Sequence, residues 1–356
     1  MTGGALTMQV ARLYAWGDVR VEAAAVPEPG PGELVMRIEA CGLCGSDALK
    51  WYVERKAPIV LGHEPAGRVV ATGHDVRAFA PGDRVFVHHH APCDGCAECR
   101  RGLWSNCTTW RANGIEPGGF AQYARVAGRN VARDTLHLPD DLDFDTATFI
   151  EPLACCLRAV HRAGRLAAGD AICIIGLGAM GLLMAQVARA GGAAVVMGTD
   201  FLAERRALAE RLGAHATFDP RATDVAEAVR AATDGRGADV VMVCPGDALA
   251  VHAGIATAAP GARVVCFTPQ SPDDPLTIDQ SALYFREVSI VQSYSCGPDE
   301  TREALRLLDR RRIDVQPLIT HRTGLEGVGA ALERAAGKAD GIKTIIQPWR
   351  TRDAIA

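Results

Sequence analysis

The chain has 356 residues, 48% of them apolar and 22% charged, and its 38 Lys and Arg against 42 Asp and Glu leave a formal charge of −4. Those values belong to an ordinary globular protein with room for two domains, and they exclude a disulfide-dense miniprotein and a wholly disordered chain. Without a basic excess or a run of like charge, the expected partner is a small molecule, with no nucleic acid and no membrane.

The N-terminal stretch MTGGALTMQVARLYAWGD lacks the basic start, apolar middle and small-residue cleavage site of a secretory leader. The longest nearly apolar run, Ala171 to Ala185, is interrupted by three glycines and followed by Gln186 and Arg189, so it falls short of a membrane span. A cytoplasmic chain is expected.

From the N-terminal stretch to about Pro139, Pro and Gly punctuate short runs rich in Val and Ile, the pattern of a compact β-rich domain with tight turns. Within it stand C-G-L-C-G-S-D at 41 to 47 and G-H-E-P-A-G-R-V-V at 62 to 70. His88, His89 and His90 end a strand-like run, where alternation sends neighbouring side chains to opposite faces, so no joint site is expected of them. Cys93, Cys96, Cys99 and Cys107 then place four thiols within fifteen residues of a Gly-containing loop. Four sulfurs around one ion make the closed tetrahedral site of structural zinc; an iron-sulfur cluster and two disulfides are the other readings, and a reducing cytosol disfavours the disulfides.

Around Glu151 the pattern changes to strand-like runs alternating with helical periods, continuing to about Gln292, which implies a parallel sheet covered on both faces. Its first strand, AICII, leads into Gly176-Leu177-Gly178-Ala179-Met180-Gly181 and at once into a helical run, and Asp200 ends the next strand. A lone Gly-rich turn is merely a tight connection, but this setting is that of a dinucleotide site. Gly176 permits the turn, Gly178 lets the backbone approach the pyrophosphate, and Gly181 allows the helix to pack on the strand. A carboxylate at Asp200 accepts from the adenosine ribose hydroxyls and repels a 2′-phosphate, so NAD is expected over NADP; Arg205 and Arg206 are the residues able to offset that repulsion. The tail adds helices near 299–310 and 325–336 and a strand, KTIIQ. Cys155, Cys156, Cys173, Cys244, Cys266 and Cys296 are expected to pack as small hydrophobes, and Trp51, Trp104 and Trp110 to pack in turns.

Cys44, His63 with Glu64, and Glu151 come from three separate segments, and such mixed donors leave an exchangeable coordination position more readily than four thiolates do. Spacing alone makes this a grouping and no more. Taken in order, the five motifs (41–47, 62–70, the four cysteines, E-P-L at 151–153 and G-L-G-A-M-G) make the chain resemble the zinc-dependent medium-chain alcohol dehydrogenases, nearest their polyol branch of sorbitol and threonine dehydrogenases, over nearly its whole length.

The resemblance implies an α/β fold in which a Rossmann domain, 154–296, is inserted in a β-rich GroES-like catalytic domain, 1–153 and 297–356. It implies Cys44 and His63 as ligands of a catalytic zinc, Glu64 and Glu151 as carboxylates that bind it directly or through water, Ser46 as the hydroxyl that hands the substrate proton outward, and Asp47 as support. Two zincs per chain, NAD, a small secondary alcohol oxidised to a ketone, and a homo-oligomer, tetramer or dimer, complete the expectation. Where many relatives place a histidine five residues after the ligand cysteine, this chain has Leu49. Two other readings are an NADPH-dependent aldehyde or ketone reductase, and a non-catalytic dinucleotide-binding protein that keeps only the structural zinc.

Overall fold

A computed structural model describes residues 6–164, 166–337 and 341–351. Two sheets of opposite character organise it, each in its own unit. One unit comprises Met1–Pro152, Cys296–Arg310 and Val315–Ala356, the other Leu153–Ser295 and Arg311–Asp314.

The first unit is built on a curled, predominantly antiparallel sheet, in which the neighbouring strands run Ile319–Thr323, Lys343–Ile346, Leu34–Gly42, Glu64–Thr72, Arg84–Val87 and Thr135–His137, with Tyr123–Val126 also paired to Leu34–Gly42. A smaller sheet joins Asp18–Ala25, Thr7–Ala15 and Ile59–Val60. The centre of the large sheet lacks the polar-out alternation of a solvent-facing one: in Leu34–Gly42 only Arg37 and Glu39 are not buried. Met36, Ile38, Val69, Val85 and Phe120 pack there into one core with Val10 and Leu13 of the small sheet.

Register in the three central strands brings distant residues together. Gly42 lies opposite Glu64 on one side and Ile345 on the other, so the ends of three strands distant in sequence meet at one point.

The second unit carries six parallel strands in the order Ala216–Phe218, Val195–Thr199, Ala171–Ile175, Ala238–Val243, Ala258–Cys266 and Ser289–Gln292. The strand order reverses direction beside Ala171–Ile175, the switch point at which doubly wound sheets bind ligands outside the strand ends. That strand is buried throughout, as a sheet covered on both faces requires. Helices follow the strands, and their starts are set by polar caps: Asp224 accepts from the Glu227 amide at 3.0 Å and Asp247 from the Ala250 amide at 2.8 Å. The fold is α/β, a Rossmann-type parallel sheet accompanied by a GroES-like antiparallel one.

Candidate active site

Four sulfurs of one short loop converge. Donor atoms of Cys93, Cys96, Cys99 and Cys107 all lie within 4.8 Å of one another. The sulfurs of Cys93 and Cys99 are 3.9 Å apart, where a disulfide needs about 2.05 Å; sulfurs at about 2.3 Å from a shared tetrahedral ion would stand about 3.8 Å apart. Backbone amides of Cys93, Cys96 and Cys99 donate to the sulfurs of Cys107, Cys93 and Cys96 at 3.4, 3.3 and 3.4 Å, favouring thiolates. Cys99, Cys107 and Trp110 form a small core of their own. The donor set fits a closed zinc site.

The second site is assembled from strand ends and a turn. Cys44 precedes the 3₁₀ turn Gly45–Ala48, and His63 and Glu64 enter the strand Glu64–Thr72. Gly62 has φ +91°, and a Cβ there would stand 2.6 Å from the Phe120 ring, so only glycine delivers His63 to this position. Donor atoms of Cys44, His63 and Glu64 lie within 4.8 Å of one another. Asp47 joins the pieces: its carboxylate accepts from the Cys44 amide at 3.3 Å and lies 3.4 Å from His63 Nδ1. A carboxylate behind one imidazole nitrogen fixes the ring and leaves the other nitrogen for a cation.

Burial pushes the His63 imidazole down, but Asp47 and Cys44 outweigh it and hold it well above the usual histidine range. These anions favour positive charge, which a metal supplies in place of a proton.

Lys343 is the residue that sequence reasoning missed. Its Nζ lies 2.7 Å from Glu64 Oε1 and 2.5 Å from Oε2, with both side chains buried. The register explains the pairing: Gly42 sits between the two strands, and a Cβ on it would collide with Glu64 Oε2 at 1.8 Å. Burial raises the Glu64 pKa, opposed by Lys343 and His63 and reinforced by Glu151. Burial lowers that of Lys343, but Glu64, Cys44 and Glu151 more than restore it. The one available signal was a lysine at the head of an otherwise uncharged strand, 279 residues from its partner.

Glu151, buried in the first turn of the helix Ile150–Arg162, groups its carboxylate with ring nitrogens of His88 and His89 within 4.8 Å, outside the set of three above. The histidines depart from the sequence expectation. The strand Arg84–Val87 ends before them, so alternation no longer applies and the three rings gather, with centroids 5.0 Å apart for His88 and His89 and 3.9 Å for His89 and His90. His63 lies 4.9 Å from His89, and His90 stacks on Trp110 at 3.6 Å. Burial, followed by the neighbouring His90, keeps His89 well below the usual histidine range, and its buried Nδ1 has no hydrogen-bond partner among the described residues. Ser46 is half-buried on the turn beside Cys44, Leu49 follows, and Lys50 is exposed.

In the second unit, Gly176 to Gly181 join Ala171–Ile175 to the helix Ala179–Ala190. A Cβ on Gly181 would meet the Gly176 carbonyl oxygen at 2.0 Å, whereas one on Gly178 would find only Arg205 Nη1, at 3.9 Å. Gly181 is therefore required by packing, while Gly178 faces open space at an uncapped helix start, where free amides suit a phosphate. Asp200 accepts from the Leu177 and Leu202 amides, both at 2.9 Å, and Arg205 Nη1 is 3.8 Å from it. Leu177, Ala179 and Met180 complete the loop. Its residues fit a dinucleotide.

A family model described as "Alcohol dehydrogenase GroES-like domain" matches residues 30–140, and one described as "Zinc-binding dehydrogenase" matches 179–310. The L-threonine 3-dehydrogenase of Symbiobacterium thermophilum is 32% identical over 96% of this chain and 98% of its own. The sorbitol dehydrogenase of Bacillus subtilis is 28% identical over the same shares. A Sinorhizobium meliloti protein assigned as a zinc-binding dehydrogenase and solved bound to NADP is 34% identical with a TM-score of 0.86, covering 96% of this chain and 100% of that one. No helix among the described residues is long and apolar enough to cross a membrane.

Proposed function

Since the chain belongs to the zinc-dependent medium-chain alcohol dehydrogenases, in their polyol and threonine branch, we propose that it oxidises one secondary hydroxyl of a polyol, cyclitol, amino sugar or hydroxy amino acid to a ketone and passes the hydride to NAD. It is an oxidoreductase of the zinc alcohol dehydrogenase type, with a nicotinamide dinucleotide and a small alcohol as its reactants. The observation that carries the reading is the convergence of Cys44, His63 and Glu64, with Lys343 engaging both oxygens of Glu64. A carboxylate drawn toward a lysine competes less for the ion and leaves a position for a substrate oxygen.

In this reading Cys44 and His63 hold the catalytic zinc, Glu64 and Glu151 bind it directly or through water, and Cys93, Cys96, Cys99 and Cys107 hold a structural one. When bound, zinc supplies Lewis-acid polarisation of the hydroxyl and the dinucleotide supplies the hydride acceptor. Asp47 orients His63. Ser46 accepts the hydroxyl proton, and because Leu49 cannot relay it and Lys50 is exposed, the proton leaves Ser46 through water. The Gly176–Gly181 loop holds the pyrophosphate and Asp200 the ribose hydroxyls, which favours NAD over NADP.

The domain division follows the same logic, with 1–153 and 297–356 carrying the metals and 154–296 the dinucleotide. The active form is a dimer or tetramer.

Sugar alcohols, cyclitols and L-threonine with NAD, followed by NADH absorbance, test this. Turnover of at least one that is abolished by a zinc chelator is the expected result. NADH binding without turnover of any of them would favour the non-catalytic reading. Arg205 beside Asp200 gives a specific reason to keep the NADPH reductase reading in view, and parallel titrations with the two dinucleotides separate it.

A further inference from the structure

Residue pattern alone has Cys296 packing as a small hydrophobe and His88 standing apart, yet the two form a polar cluster that the reaction above does not use. Cys296 Sγ lies 3.5 Å from His88 Nε2, and His88 Nδ1 lies 2.7 Å from Asp134 Oδ2. Asp134 Oδ1 in turn accepts from the Thr301 hydroxyl at 2.5 Å. Cys296, His88 and Asp134 are all 0% exposed, and Glu151 beside them is 5% exposed. The Glu151 carboxylate belongs to two donor groups, lying within 4.8 Å of a ring nitrogen of His88 in one and of Cys296 Sγ in the other.

We infer that Cys296, His88 and Glu151 form a second seat, adjoining the first, for a thiophilic divalent cation such as zinc. The sulfur-to-nitrogen distance, a hydrogen bond between the two side chains, also suits a shared ion: bond lengths of about 2.3 Å to sulfur and about 2.0 Å to nitrogen at a tetrahedral angle separate the two donors by about 3.5 Å. Asp134 behaves as the carboxylate partner of a metal-binding histidine. By accepting from Nδ1 it fixes the tautomer and turns the Nε2 lone pair toward Cys296. His89, whose buried Nδ1 lacks a hydrogen-bond partner among the described residues and which shares a donor group with His88 and Glu151, supplies a fourth donor. The two oxygens of Glu151 let it serve both seats.

The same Cys, His and Asp order also describes an activated nucleophile. A thiol with no exposed surface is closed to an organic electrophile, whereas an ion is enclosed as the chain folds around its ligands.

The test counts zinc in the full-length protein after equilibration with zinc and gel filtration, with thermal unfolding as the check on folding. Wild type is expected to hold one ion per chain more than Cys296→Ala, and one more than Cys44→Ala. If Cys296→Ala holds as much zinc as wild type, the inference is overturned, whatever the total. A Cys44→Ala protein that keeps the full count would instead overturn the catalytic-zinc assignment, so the two failures are distinct. If Cys296→Ala does not fold, Asp134→Asn serves, since it preserves shape. A chelator titration should then show one zinc bound about 10- to 100-fold more weakly, and unchanged affinity for every ion would sink the proposal. Cobalt gives a further signature: thiolate-to-metal absorption should fall in Cys296→Ala in proportion to the lost ion, and undiminished absorption would count against the seat.

Discussion

The four-cysteine loop and the Cys44 site both gather metal donors, but in opposite ways. The loop takes all its donors from fifteen consecutive residues and holds them by its own backbone amides. The Cys44 site takes one donor from a turn and two from the start of a strand, and restrains them with a lysine from a strand 279 residues further on. Local assembly yields a closed shell of identical ligands suited to stability. Dispersed assembly yields mixed ligands, a counter-charge and a withheld carboxylate, and that asymmetry is what chemistry at an ion requires.

Replacing Cys44 by Ser should strike the dispersed site hardest. Turnover is expected to fall at least about 100-fold, since losing groups that merely orient ligands already costs about 10- to 100-fold. NADH binding, followed by fluorescence, should persist because the dinucleotide loop is built separately; undiminished turnover with full zinc content would break the contrast.

The next largest effect concerns Lys343. Lys343→Met leaves the Glu64 carboxylate buried without its partner, so stability should drop by about 3–5 kcal/mol, measured by denaturant unfolding of the chelator-treated protein, in which no ion compensates Glu64. Adding Glu64→Gln should recover most of that loss, and a double variant as unstable as the single one would show that the pair is not coupled as the register implies.

Cys99→Ala sharpens the other side of the comparison. It should remove one zinc and lower the thermal midpoint by several degrees, at about 2–4 °C per kcal/mol for a unit of this size, while the zinc bound through Cys44 remains. Loss of both ions together would mean that the loop is not independent.

The smallest effect is at Asp200. Asp200→Gly should reduce the NAD to NADP ratio of kcat/KM about tenfold, equivalent to about 1.4 kcal/mol. An unchanged ratio would remove Asp200 from ribose selection and leave it as the acceptor that ties the Leu177 and Leu202 amides.

Sequence-distant pairings account for what remained hidden. Lys343 reads as the one charged residue in KTIIQ until strand pairing sets it across Gly42 from Glu64. His88 to His90 read as alternating because the preceding residues do alternate, yet the strand stops at Val87 and the rings turn together. Cys296 meets His88 across 208 residues, and no pattern within either segment announces it.

The amino-acid sequence by itself determined the family and the class of each sheet, and it marked the four-cysteine loop and the Gly176–Gly181 turn as candidate sites. Each of these is written in residue types at short, fixed spacing, where backbone geometry leaves little freedom. The tertiary structure decided which carboxylate meets which cation, where Glu151 stands, and that Cys296 faces His88. Such encounters depend on strand register and on closure across hundreds of residues, and the burial that makes a charge costly or useful exists only once those strands have paired.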